Sequence, residues 1–579
     1  MTACDNVDAA LGRVKADLVI KDAKIVDVNT REIYVSDIAT KGERVVLVGD
    51  SSGLVGSATS IINADGMYAV PGFVDAHLHV ESSMLTPTEF CKVVTGHGTT
   101  TIIWDPHEVV NVAGIEALRI AIRETARLPL HVYFVVPSCV PSAPGKETSG
   151  ACVSTAQVSE ALGLDRVIGL GEVMDYPGVL SCSTEVIGKI EEARRRRVII
   201  DGHAPGLRGK ELCAYIASGV RSDHESVSGE EGLEKLRRGI WLMIRESSTS
   251  KDLSNLIKPL VEGKVDTRHC MFVSDDRSVN DLILEGHIDH ILRKAISGGI
   301  DFMTAVQLAT INPATYARLD SETGSISPGR FADILLLSDP GKVRIGKVVI
   351  GGRQLDRGLT YGDFKYPRKL TRTVKLKRKL VPADFEFESS NDEEADVTAI
   401  GMREGTLLTS NERRRVKTSH GAIQAPRDVL LASVVERHRR TGNVGKGFIV
   451  GLGPLDGALA QTIAHDSHNM IVVGSNSRDM LNAARAVYDM QGGIALSSRG
   501  KLVAFLALNI AGLMSTESAE EVARKKELIE GEGRKLGLWA KSPIASLSFV
   551  SLPVIPSLRL TDKGLLDVDR GVFIDPVVR

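Results

Sequence analysis

Pro71-Gly72-Phe73-Val74-Asp75-Ala76-His77-Leu78-His79-Val80-Glu81 decides the reading of this chain. An apolar, β-prone run ends in two histidines two residues apart. In a strand, residues i and i+2 point to the same face, so His77 and His79 converge at the strand's C-terminal end. Two neutral imidazoles held that way make half of a divalent-metal site. A bare H-x-H is as readily two ordinary histidines in a turn, so the rest of the chain has to decide.

Downstream, apolar strand-like runs alternate with helix-like segments. Eight runs end near His79, Trp104, Val136, Glu172, His203, His224, Arg245 and Asp275. Stretches such as Val109 to Arg127 and Glu185 to Arg197 lie between them and read as helices. Eight βα units of parallel type predict a TIM-like (β/α)8 barrel, whose active site sits at the C-terminal strand ends. Five of the eight ends carry a plausible metal ligand, and Asp105 and His107 follow a sixth run directly. With only 14 histidines in 579 residues, chance does not account for that placement.

Before the barrel, Ala16 to Val70 reads as short strands separated by turn residues. A similar stretch returns from Gly329 to Gly352, and the two flanks are expected to pair into one composite β-sandwich domain. Next comes a charged connector, Lys375-Leu376-Lys377-Arg378-Lys379 followed by Asp392-Glu393-Glu394, read as a solvated edge strand and loop. A further α/β region runs from about Val397 to the end. The expected division is therefore 1–70 and 326–365 for the composite β domain, 71–325 for the barrel, 366–396 for the connector and 397–579 for the C-terminal α/β domain. Gly447-Phe448-Ile449-Val450-Gly451-Leu452-Gly453 matches neither G-x-G-x-x-G nor a P-loop, which excludes a nucleotide-cofactor reading.

Composition is that of a soluble globular protein, with 43% hydrophobic and 25% charged residues. A net charge of -2 gives no reason to expect nucleic acid or an anionic membrane as partner. The seven cysteines are scattered and form no C-x-x-C, which predicts a reducing cytoplasm. No signal-peptide pattern opens the chain. The longest apolar run, Leu502 to Leu513, is too short to span a bilayer and is expected in a core.

The candidate ligands are His77, His79, Glu172, His203, His224 and Asp275. Four imidazoles and two carboxylates can hold two divalent metals with Glu172 bridging, and N and O donors without thiolate fit Mn, Fe or Zn. Two metals sharing a water supply hydroxide at neutral pH, and Asp275 can take that water's proton. Each residue alone has a plainer explanation: Glu172 as a helix cap, Asp201 as a partner for a histidine, His224 as a satisfied surface or core histidine. As an ordered set on strand ends they point to hydrolysis at an sp2 carbon. Two other signatures fail. His79-Val80-Glu81 lacks the P-C-x-x-C half of the small zinc deaminases, and His107-Glu108 meets Asn111 where H-E-x-x-H needs histidine.

The sequence resembles the amidohydrolase superfamily and, within it, the bacterial-type adenine deaminases. The carrying segments are PGFVDAHLHVESS (71–83), TTIIWDPHE (100–108), GEVMDYPG (171–178), DGHAPG (201–206), SDHE (222–225), SDDR (274–277) and HDSHNMIVVG (465–474). The resemblance implies conversion of adenine to hypoxanthine and ammonia, in purine base salvage, by a metal-bound hydroxide attacking C6. It implies a binuclear centre usually filled by manganese, and a homo-oligomer, expected as a dimer. Glu172 stands where many relatives carry a carboxylated lysine. The purine N1 must be protonated during attack, and Glu172, His107 and Glu81 are the candidate acids. Asp105 and His107 either serve the chemistry or support the metal ligands by hydrogen bonding. Asp275 is preferred over Asp276 as ligand because it comes first after the apolar run. His465 and His468 are expected in a surface turn, with closure over the barrel mouth or a further metal as alternatives. The rival readings are another amidohydrolase acting on a cyclic amide or related heterocycle, and a catalytically dead scaffold.

Overall fold

The computed structural model describes residues 2–263, 265–355, 361–388, 393–403, 406–424, 426–540 and 542–578. Its central part holds eight strands: Phe73–Leu78, Thr99–Trp104, His131–Val136, Val167–Val173, Ile199–Gly202, Ser222–Asp223, Trp241–Arg245 and Cys270–Val273. The first five form one parallel ladder and the last three another. Backbone hydrogen bonds join the two ladders at both seams. Arg221 N donates to Ile200 O at 3.1 Å, and Asp275 N donates to His77 O at 3.1 Å. Every strand ends within two residues of the position expected from its apolar run.

Helices fill the intervals. Thr184–Arg196 is one helix, but the Val109 to Arg127 stretch is two, His107–Ala113 and Ile115–Thr125. Gly114 breaks it at φ +72°, a left-handed conformation that glycine adopts without a Cβ penalty.

The flanking segments share one eight-stranded sheet. Strand Tyr68–Pro71 pairs in parallel with Leu18–Asp27 and antiparallel with Ile334–Asp339, which knits the returning segment onto the N-terminal one. The far strand, Arg44–Gly49, bonds back to residues 329–332. Residues 356–360 of the returning segment, and 389–392 of the connector with Asp392, lie outside the described residues.

The connector departs from the expected edge strand. Residues 372–381 form no regular element, and Val374, Leu380, Phe385 and Phe387 are buried in a core under the C-terminal sheet. The charged run is solvated only between these apolar anchors. The C-terminal sheet has ten strands, with helix Ser477–Asp489 packed against it. Its edge strand, Lys501–Ala507, corrects a second expectation. Leu502, Val503 and Phe505 are exposed, while Leu506, Leu508, Ile510 and Leu513 are buried. A strand alternates its faces, so one face of this edge stays in solvent. Among the described residues, no helix is long and apolar enough to cross a membrane.

The C-terminal part docks on the side of the parallel strands' C-terminal ends. Ser515 N donates to Met84 O at 2.8 Å, Asn469 Nδ2 to Thr148 O at 2.8 Å and Arg439 Nε to Ser149 O at 2.9 Å. One apolar core runs through both parts, including Leu85 and Trp104 on one side and Leu459 and Ile510 on the other.

A buried ion triad supports the sixth strand. Lys235, fully buried, donates from Nζ to Asp223 Oδ2 (2.8 Å), Glu231 Oε1 (2.8 Å) and Ala204 O (2.7 Å). Replacing Lys235 with Met leaves two carboxylates without their cation. Breaking a buried pair this way costs about 3–5 kcal/mol. Urea unfolding of K235M should show a loss of that size; a loss below about 1 kcal/mol, the size of a surface ion pair, contradicts the assignment.

Candidate metal centre

The six residues read from the strand ends come together around Glu172. This carboxylate projects from the fourth parallel strand, and its two oxygens face different histidines. Oε1 lies 3.0 Å from His79 Nε2 and 3.3 Å from His77 Nε2. Oε2 lies 2.9 Å from His203 Nδ1 and 3.6 Å from His224 Nε2. Asp275 joins the first group, with Oδ1 3.3 Å from His79 Nε2 and 3.9 Å from His77 Nε2. The imidazoles of His77 and His224 stack at 4.1 Å between centroids and bridge the two groups. All six are buried except His203, which is half-buried.

The local sequence fixes this arrangement. His77 and His79 leave the first strand on one face, as the i, i+2 spacing requires. His79 Nδ1 donates to Asp105 O at 3.0 Å, which leaves the Nε2 lone pair toward Glu172 and Asp275. Asp105 also accepts from Glu172 N at 3.1 Å through Oδ2. Gly171 makes that approach possible, because a Cβ there would run into the Asp105 carboxylate. Asp275 sits at φ +53°, in the left-handed region, which turns its carboxylate toward the histidines. Asp276 is elsewhere: its Oδ1 accepts from Ser82 Oγ.

Electrostatics favour ionised carboxylates. Burial would raise the Glu172 carboxyl, but His224, His203, His77 and His79 hold it well below the usual range. Burial also opposes ionisation of Asp275, yet His79, Arg245 and His224 drive its pKa far down. Glu172 Oε1, His77 Nε2 and His107 Nδ1 are buried and form no hydrogen bond among the described residues. Buried polar atoms left without partners need an explanation. Neutral imidazoles and ionised carboxylates converging on one point, several of their atoms unpartnered, fit divalent cations.

Glu81 and His107 are placed differently. Glu81 accepts from Trp104 Nε1 at 2.7 Å and from Val109 N at 3.1 Å, so both its oxygens hold the wall of the site. Burial and the nearby Glu108 push its pKa up to about 7. His107 Nδ1 points inward, 3.7 Å from Asp105 Oδ1 and 3.8 Å from Glu172 Oε1. His465 and His468 correct the surface-turn expectation. Both are buried and both meet Glu108, with His465 Nδ1 at 2.7 Å from Oε1. The turn is internal because the C-terminal part carries it onto the strand ends, against Glu108.

Residues 68–355 match the amidohydrolase family, and residues 406–571 match the adenine deaminase C-terminal domain. An adenine deaminase of Archaeoglobus fulgidus is 43% identical over 570 residues, covering 98% of this chain and 97% of its own. Those of Methanococcoides burtonii and Staphylothermus marinus are 40% and 41% identical, covering 99% and 98% of this chain and 98% and 96% of theirs. The chain belongs to the adenine deaminase family.

In this adenine deaminase family member, four residues beside the centre escaped the sequence reading. Arg245 donates to Asp275 Oδ2 at 3.1 Å, to Asp252 Oδ2 at 3.1 Å and to Glu225. Glu225 lies 3.4 Å from His224 Nε2. Ser82 holds Asp276, and Glu108 holds the two C-terminal histidines. Arg245 ends the seventh apolar run, and that position was the one available signal. The other three follow a ligand or candidate residue within three positions, but no spacing rule marks them.

Proposed function

We propose that this chain hydrolyses adenine to hypoxanthine and ammonia at a centre of two divalent cations, inside a closed (β/α)8 barrel. The observation that carries the reading is Glu172, whose two oxygens face two separate sets of histidines. His77, His79, Asp275 and Glu172 would hold one ion, and His203, His224 and Glu172 the other. Donors of this kind suit Mn(II), with Fe(II) or Zn(II) as alternatives. Such a pair of ions lowers the pKa of water and so supplies hydroxide at neutral pH.

The remaining chemistry belongs to side chains. Arg245 fixes Asp275 through Oδ2 and leaves Oδ1 toward the centre, where it accepts the proton of the attacking water. As C6 becomes tetrahedral, N1 must gain a proton, otherwise purine resonance opposes attack. His107 is the group placed to carry it, since its Nδ1 is unpartnered and faces the centre, whereas Glu172, held ionised between the two donor sets, has no proton to give. Asp105 orients His79 and the Glu172 backbone. Glu81 stands behind the wall, where Trp104 and Val109 hold it.

The wider reading follows the same lines. The chain divides into a composite β unit (1–70 and 326–365), the barrel (71–325), a connector (366–396) and the C-terminal α/β unit (397–579). The cysteines are all free, which suits a reducing cytoplasm and a role in purine base salvage. The exposed apolar edge at Leu502, Val503 and Phe505 is a surface that a homodimer would cover. The test is ultraviolet turnover of adenine by the manganese-loaded chain, beside hydantoins, dihydroorotate and cytosine. Hypoxanthine formation from adenine alone is expected. Turnover of a cyclic amide without turnover of adenine would overturn the substrate and keep the hydrolase.

A further inference from the structure

Glu108 lies outside the six-residue centre, and its neighbours come from distant parts of the chain. It lies in the first turn of the helix His107–Ala113, with Oε1 3.4 Å from His107 Nε2. His465 Nδ1 approaches the same oxygen, and His468 Nε2 meets Oε2. All three side chains are buried.

The tautomer of His468 follows from its other nitrogen. Nδ1 accepts from Ala464 N at 3.2 Å, which leaves the ring proton on Nε2, the nitrogen that faces Glu108 Oε2. A histidine in that form offers no Nε2 lone pair to a cation, although the three groups lie close enough together to hold one. The turn behind it is rigidly held. Arg437, fully buried, donates to His468 O, to Thr373 Oγ1 at 3.0 Å and to Ala511 O at 3.0 Å. On the inner side, His107 Nδ1 forms no hydrogen bond among the described residues and its ring lies 4.5 Å from that of His79. One nitrogen of His107 thus faces the Glu108 cluster and the other faces the centre.

We propose that His465 and His468 clamp Glu108, and that Glu108 thereby fixes His107 toward the purine, which makes the C-terminal part of the chain a component of the active site. The proposal rests on the adenine reading above. Glu108, His465 and His468 touch no reacting atom and are positioning residues. Losing a partner behind a metal ligand costs about 10–100-fold, and a loss of that size is expected behind His107.

The test uses the full chain loaded with manganese and the variants His468→Leu, His468→Gln and Glu108→Gln. Kinetics on adenine, metal per chain and thermal unfolding are measured for each. Gln places an amide N–H where the imidazole Nε2–H stands, whereas Leu keeps bulk without a donor. The expected result is a kcat lower by about 10–100-fold in H468L and restored to within about fivefold in H468Q, with KM and metal content unchanged. The double variant H468L/E108Q should be no slower than E108Q, since both changes break one clamp. In the metal-free chain, NMR of labelled histidine should report the Nε2–H form of His468. A folded, metal-loaded H468L with kcat within about twofold of the parent overturns the proposal, as does a Gln variant no better than Leu. Loss of a third equivalent of metal on either substitution would make the cluster a metal site instead. If H468L does not fold, the isosteric E108Q decides by the same kcat criterion. An unsubstituted chain that leaves adenine unchanged would overturn the substrate reading, and this proposal with it.

Discussion

Replacing Asp275 with Asn leaves the fold intact and abolishes turnover. The backbone tolerates the change, because Asn adopts the left-handed conformation that Asp275 holds at φ +53°. The side chain keeps its volume, and Arg245 keeps Glu225 and Asp252 as partners. What disappears is the anion 3.3 Å from His79, which in the proposed mechanism is the proton acceptor and one ligand of the first ion. Loss of a general base costs about 100- to 10,000-fold, and weakened metal binding adds to it. The check is kcat at saturating manganese beside a thermal melt. A D275N protein that unfolds like the parent and keeps kcat within about tenfold would show that the base lies elsewhere.

Glu172→Gln should have the larger effect on metal content. Both donor sets share this carboxylate, and among the described residues only it faces all four histidines. Gln keeps one acceptor oxygen but turns the other position into an N–H donor, which repels a cation and cannot bridge. Desalted E172Q should therefore retain one metal per chain or fewer, where the parent should retain two. Turnover should fall by more than about 100-fold, since removing a partner behind a metal ligand already costs 10–100-fold. Two tightly held metals in E172Q would refute the bridging role.

The reach of the sequence can be judged from these residues. The strand ends were legible because a buried parallel strand is a short apolar run, and a ligand at its end breaks that run visibly. Glu172 and Asp275 stood out for this reason, and His77 and His79 through their spacing. Gly114 was not legible as a helix break, because the apolar period continues across it and only its φ of +72° divides the helix. Arg245 ends a strand as the ligands do, but its meaning depends on Asp275, Asp252 and Glu225 converging on it. The Glu108 cluster was hidden for a related reason. Its members are ordinary in their own segments and meet only when the C-terminal sheet docks. Leu502, Val503 and Phe505 looked like core because hydropathy alone does not distinguish an edge strand from a central one.

The central claim is a pair of cations sharing Glu172, and the most direct measurement is metal titration. The chain is freed of metal, and adenine turnover is followed as Mn(II) is added. The account predicts no turnover at the start and a rise that saturates at two equivalents per chain. Full turnover without metal, or saturation at a single equivalent, would contradict it.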